Sequence, residues 1–144
     1  MPGLAALTTI GLVAVAVLIP LLLKLRRKDL IDAIMKKRQA TSKLVTRAEY
    51  VEGRDCIPVS LAVTADSLYY ENPDLEASFE LSRIDEIEYE DELSTGKNLP
   101  ADKRVLRIRS HGAVFEFVVD RADQPKWAAA LPARRLDAPT ARAV

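Results

Sequence analysis

A single N-terminal transmembrane α-helix followed by a mainly-β domain is the fold class this sequence predicts, and three patterns predict it. Pro2–Leu23 is strongly apolar and carries no charged side chain. At Leu44 the hydrophobic period changes from helical to two, and it stays at two through seven short segments. After Asp120 a helical pattern returns, ahead of an Ala/Arg/Pro-rich tail over residues 133–144 that lacks periodicity and is expected to be disordered. Seven short antiparallel strands can form a sandwich or partial barrel, and a terminal helix can cap its open end.

Leu4–Leu23 is 20 residues long, about 30 Å as a helix, which matches the hydrocarbon thickness of a bilayer. Twelve of its residues are Leu, Ile or Val, each worth roughly −0.3 to −0.6 kcal/mol for insertion. That sum absorbs Thr8, Thr9, Gly11 and Pro20. A cleaved signal peptide would need a basic segment before the apolar run and a small-residue cleavage site after it. Here Lys24-Leu-Arg-Arg-Lys28 follows instead, so an uncleaved, single-pass anchor over residues 2–23 is the favoured reading. The charges lie on its C-terminal side. The positive-inside rule then puts the N-terminus outside and the rest in the cytoplasm of a cell membrane.

Net charge is zero, but the signs are segregated. Lys24–Arg47 holds nine Lys/Arg against Asp29 and Asp32, whereas Glu71–Glu92 holds ten acidic residues against Arg83. The basic segment, residues 24–43, reads as a juxtamembrane helix or linker. Lys24, Arg26, Arg27, Lys28, Lys36, Lys37 and Arg38 are its candidates for contact with anionic lipid headgroups. Nucleic acid is the poorer explanation, because the cluster directly follows the span. Leu30, Ile31, Ile34 and Met35 share one face of this helix. That face either packs on the domain or a partner helix, or lies on the membrane surface.

The strands are expected at Leu44–Glu52, Cys56–Thr64, Ser67–Glu71, Glu76–Leu81, Ile84–Glu92, Arg104–Ser110 and Val114–Val119, with residues 94–103 as a polar loop. Gly53-Arg54-Asp55, Ala65-Asp66 and Asn72-Pro73-Asp74 supply the turns. The last two strands carry the firmest register. With His111-Gly112 as a two-residue turn, Ile108 faces Phe115 and Leu106 faces Phe117 on the apolar side, and Arg107 faces Glu116 on the wet side. If the fifth strand pairs with the sixth, Glu86, Glu88 and Glu90 lie along Arg107 and Arg109. Pro125 marks the start of the final helix.

This order of elements resembles the pleckstrin-homology-like superfold, including bacterial PH and GRAM-type domains. The likeness runs over about residues 44–132, on Leu61-Ala-Val-Thr64, Leu68-Tyr-Tyr70, Phe79-Glu-Leu81, Ile84, Ile87, Leu106-Arg-Ile108, Phe115-Glu-Phe117 and Trp127. A tryptophan in the closing helix is that family's best-known marker, and Trp127 falls there. The sequence departs from phosphoinositide-binding members at the first loop, where Gly53-Arg54-Asp55 replaces a basic loop. The resemblance therefore does not extend to their inositol-phosphate pocket, and the fold alone names no ligand.

No catalytic constellation stands out. His111 is the only histidine and sits in an expected turn, and no phosphate-loop or dinucleotide motif occurs. The lone Cys56 excludes an internal disulfide and reads as a small buried hydrophobe. The expectation is a non-enzymatic membrane-anchored binding or assembly module without a cofactor. Its partners would be the lipid bilayer and a protein in the membrane or cytoplasm. Glu86, Glu88, Glu90 and Tyr69 are the candidate partner surface, with an intramolecular charge ladder as the plainer role for the acids. The alternative is a small accessory structural subunit of a larger membrane complex.

Overall fold

A computed structural model describes the backbone of residues 2–132 and the side chains of residues 15–132. The tail expected to be disordered, residues 133–144, lies outside them. Helix α1 runs unbroken over Pro2–Gln39, about 57 Å at 1.5 Å per residue. No break separates the expected anchor from the expected linker, and Pro20 lies inside the helix. Lys36, Lys37 and Arg38 occupy its last turn, where cations complement the helix dipole.

Among the described residues no helix is long and apolar enough to cross a membrane, so the described residues do not support the expected transmembrane helix over 2–23. The reason is local. Side chains are described only from Val15, and nine residues later the charges of Lys24–Lys28 begin. The side chains of residues 2–14 lie outside the described set.

The seven strands are β1 (Leu44–Glu52), β2 (Asp55–Val63), β3 (Ser67–Asn72), β4 (Leu75–Glu80), β5 (Ile84–Glu90), β6 (Lys103–Ser110) and β7 (Ala113–Asp120). They form one antiparallel sheet in the order β4-β3-β2-β1-β7-β6-β5. Each expected strand is present within two residues at either end. The turn chemistry is local. Asn72 Oδ1 accepts from the Asp74 amide at 2.8 Å, and Thr64 Oγ1 accepts from the Ser67 amide at 3.1 Å. Gly112 (φ +73°) and His111 (φ +53°) both take the left-handed conformation, as the tightest hairpin turn requires.

The sheet curls on itself. Phe79 on β4 stacks on Phe115 of β7 with ring centroids 5.2 Å apart. Four strand spacings separate β4 from β7 in the sheet order, about 19 Å in a flat sheet. The enclosed core joins Val59, Leu61 and Val63 of β2, Leu68 and Tyr70 of β3, Ile84 and Ile87 of β5, Leu106 and Ile108 of β6, and Phe117 and Val119 of β7. Helix α2 (Gln124–Ala130), with proline in its first turn, closes it. Trp127 on that helix is fully buried and joins the same core with Leu131.

Two further layers cover the outside of the sheet. The loop after β5, expected to be merely polar, lays Leu93 and Leu99 over the outward-facing Val105, Val118 and Val51. On the opposite half, the C-terminal part of α1 packs on β1, β2 and β3. Ile31 is buried and Ile34 and Met35 are half-buried, so these three pack on the domain, whereas Leu30, expected on the same face, stays exposed. Residues Ser60 and Ala62 of β2 alternate outward yet are each only 1 % exposed. Their small side chains leave room for a helix to lie close to the sheet.

Candidate functional site

At the junction between α1 and the sheet three residues of the basic segment, Arg27, Arg38 and Arg47, meet acidic partners. Arg38 reaches across to β3, where its Nε donates to Glu71 Oε2 at 2.9 Å and its Nη2 donates to Glu71 Oε1. Its guanidinium also lies over the Tyr69 ring, 3.9 Å from the centroid. Glu71 is only 6 % exposed. The hydrogen bond to Glu71 is the main reason the Arg38 pKa is raised, against the opposing effect of burial. Asp32 of α1 accepts from Arg47 of β1, and Arg47 also reaches the Lys28 carbonyl at 3.5 Å. Arg27 lies 3.7 Å from Asp74 in an exposed pair. Arg38 thus serves helix docking, whereas Lys24, Arg26, Lys28, Lys36 and Lys37 are exposed.

Beyond the collar, α1 leaves the sheet and its apolar residues face outward on every side. Val15, Val17, Leu18, Ile19, Leu21, Leu22, Leu23 and Leu25 are all at least half exposed. Large aliphatic side chains bare all round a helix are what a lipid or protein environment would cover.

The acidic ladder is used inside the molecule. Glu88 opposes Arg107 and Glu86 opposes Arg109 across β5 and β6, with ion-pair distances of 3.2 Å and 3.6 Å. Arg107 also bonds Glu116 of β7 at 3.2 Å. Burial works against the charge of Arg107, but its hydrogen bonds to Glu116 and Glu88 outweigh that, so its pKa is raised. The Arg107–Glu116 pairing is as expected, but Glu116 does not face water. The residue 91–102 loop covers it, and the Ser94 amide donates to its Oε2 at 3.1 Å. Glu90 stays exposed at the end of β5. Tyr69 lies beneath Arg38.

The remaining candidates assemble no reactive site. His111 is exposed in its turn, with Nε2 2.8 Å from Arg83 Nη1 and Nδ1 3.0 Å from Ser110 Oγ. The Ser110 hydroxyl donates to the Arg83 carbonyl at 2.8 Å. It can then only accept from the ring, which assigns the proton to Nδ1 and leaves Nε2 to accept from Arg83. Cys56 is half-buried opposite Val51. Among the described residues no group of three His, Cys, Asp or Glu is placed to hold a metal ion.

Sequence reasoning missed Asp32, Arg47 and Glu71 as the contacts that seat α1. The available signal was an acid, Glu71, alternating outward on a strand whose outer neighbours on β2 are the small Ser60 and Ala62.

The fold and junction define a curled seven-stranded antiparallel β-domain with a closing helix and a long N-terminal helix docked on its outer face. No protein-family profile matches the chain, and no curated protein matches it. It is similar to a solved structure described as the C-terminal domain of an unknown protein from Leishmania infantum. The TM-score is 0.51 and the identity 15 %, over 69 % of this chain and 93 % of that one. At that identity the likeness speaks for the fold alone.

Proposed function

We propose that this protein is a non-enzymatic, membrane-anchored module built on a pleckstrin-homology-like β-domain that faces the cytoplasm. The observation carrying the proposal is the continuity of α1. One helix joins an uncharged stretch, Leu4–Leu23, to a basic collar and then to the docked segment that holds the β-domain. Helical backbone satisfies its own hydrogen bonds, which is what a spanning segment needs, and the collar orients it by the positive-inside rule. The strand order, the curled sheet and the buried Trp127 of α2 support the pleckstrin-homology-like reading of the domain. Anchoring raises the local concentration of the domain for membrane-bound partners, so weak intrinsic contacts suffice.

Fractionation and a C-terminal reporter test this. The full chain is expected in the alkaline-carbonate-resistant membrane fraction, with a reporter fused after Val144 active only in its cytoplasmic form. Release by carbonate, or a reporter active outside, would overturn the anchor or its orientation. A discrete high-mass band on blue-native gels would favour the accessory-subunit alternative.

A further inference from the structure

A groove of about 770 Å³ opens where α1 leaves the sheet. One wall is α1 from Pro20 to Ile31, and the other is Arg47 of β1 with Pro58 of β2. On α1, Arg27 and Lys28 each lie three or four residues from both Lys24 and Ile31, which puts the four on a single helical face. The lining therefore has an order along its length. Aliphatic side chains line it toward Pro20 and Leu21, the cations of Lys24–Lys28 follow, and Ile31, Arg47 and Pro58 close it at the sheet. Among the lining residues, Lys24, Arg26, Arg27, Lys28 and Arg47 are basic and none is acidic. Asp32 and Asp74 bond Arg47 and Arg27 from outside the lining, so Lys24, Arg26 and Lys28 supply its unopposed positive charge.

We propose that this groove seats one anionic phospholipid, its phosphate held by the unopposed Lys24 and Lys28 and an acyl chain lying along Leu21 and Leu25. The inference rests on the membrane-anchored reading above. Charge complementarity identifies the occupant. A soluble anion would leave the apolar end of the groove uncovered, and an apolar peptide would leave the cations unopposed. A phospholipid meets both at once, and the groove lies where the exposed apolar part of α1 gives way to the collar. The lipid would contact the helix and the sheet together.

Native mass spectrometry of the full chain in mild detergent, with phosphatidylglycerol or phosphatidylcholine added, tests the proposal. The wild type is expected to retain one phosphatidylglycerol and no phosphatidylcholine. Lys24→Gln with Lys28→Gln should weaken that retention by about thirtyfold, at roughly tenfold per 1.4 kcal/mol and about 1 kcal/mol per cation. Lys36→Gln with Lys37→Gln removes the same charge from exposed positions outside the groove and should leave retention unchanged. Equal weakening by both pairs, or equal retention of the two lipids, would overturn the groove while leaving the anchor in place. Carbonate release of the wild type would overturn the anchor and the groove together.

Discussion

Arg38 is the side chain whose removal should do most to free α1 from the sheet. In Arg38→Met the Glu71 carboxylate loses both hydrogen bonds while it lies beneath the helix. Breaking a fully buried ion pair costs about 3–5 kcal/mol. The Arg38 side chain is 22 % exposed and that of Glu71 8 %, so part of that cost is screened. The contact over Tyr69 adds about 0.5–1 kcal/mol. A net loss of about 2–3 kcal/mol of docking free energy follows. The β-domain itself should be less affected, because once α1 lifts away water reaches Glu71 and the penalty ends. The assay therefore has to read docking rather than global unfolding. Ser60 pairs with Glu71 on the covered face, is 1 % exposed, and among the described residues its hydroxyl has no hydrogen-bond partner, so Ser60→Cys is a mild reporter. In a Cys56→Ser background its thiol-labelling rate measures how often the helix opens. Arg38→Met should raise that rate about 30- to 140-fold. Arg38→Met with Glu71→Met should recover most of the protection, since an apolar pair replaces the buried charges. If Arg38→Met leaves the rate unchanged, or if Arg38→Met and Glu71→Gln combine with less than about 0.5 kcal/mol of coupling, the ion pair does not hold the helix.

Trp127→Ala should cost the β-domain about 3–5 kcal/mol in urea unfolding followed by circular dichroism, since the ring fills the end of the core enclosed by the curled sheet. Trp127→Phe should cost clearly less, because among the described residues the indole N–H has no hydrogen-bond partner to lose. Gly112→Ala should cost about 1–2 kcal/mol by the same measurement. Its φ is +73° and no atom lies within 4 Å of the added carbon, so the whole effect is backbone strain. Burial first, then the charges of Tyr50 and Glu52, raise the pKa of Tyr70, and the hydrogen bond to Asp120 raises that of Lys103. Both groups hold their protons more tightly when folded. Their contribution to stability is complete below about pH 10 and is lost as pH rises through the raised folded values. Tyrosinate absorbance should accordingly show a late phase that disappears in Tyr70→Phe.

The strands were legible because each residue pair reports twice, once by alternation and once by its partner. Leu106 with Phe117 and Ile108 with Phe115 agree in both respects, and the observed register is the expected one. The Glu88–Arg107 and Glu86–Arg109 ladder was legible in the same way. Trp127 was legible as the apolar centre of a short helix that begins at a proline. What sequence pattern did not show is how the outer faces are covered. Alternation marks one face of a strand as outward but does not say whether another layer lies on it. Glu116, Val105 and Val118 all alternate outward and are buried by a loop whose anchors, Leu93 and Leu99, are two leucines in polar surroundings. Ser60, Ala62 and Glu71 alternate outward and are buried with α1 on that side of the sheet. A stripe such as Leu30, Ile31, Ile34 and Met35 predicts that something is covered, but which members are covered, and by what, is set by tertiary fit, which leaves Leu30 exposed.

The unbroken course of α1 gears its two ends together. A helix turns about 100° per residue, so the azimuth of Val15–Leu23 about the helix axis is locked to the face on which Ile31 and Arg38 seat the β-domain. Inserting one residue between Lys24 and Lys28 would swing the domain by about 100° about that axis and advance it by only about 1.5 Å. Inserting seven, close to two full turns, would restore its bearing and displace it by about 10 Å. Phase and reach are thus separately adjustable through the length of one segment, and the orientation in which the β-domain meets its surroundings is encoded there as a number of residues.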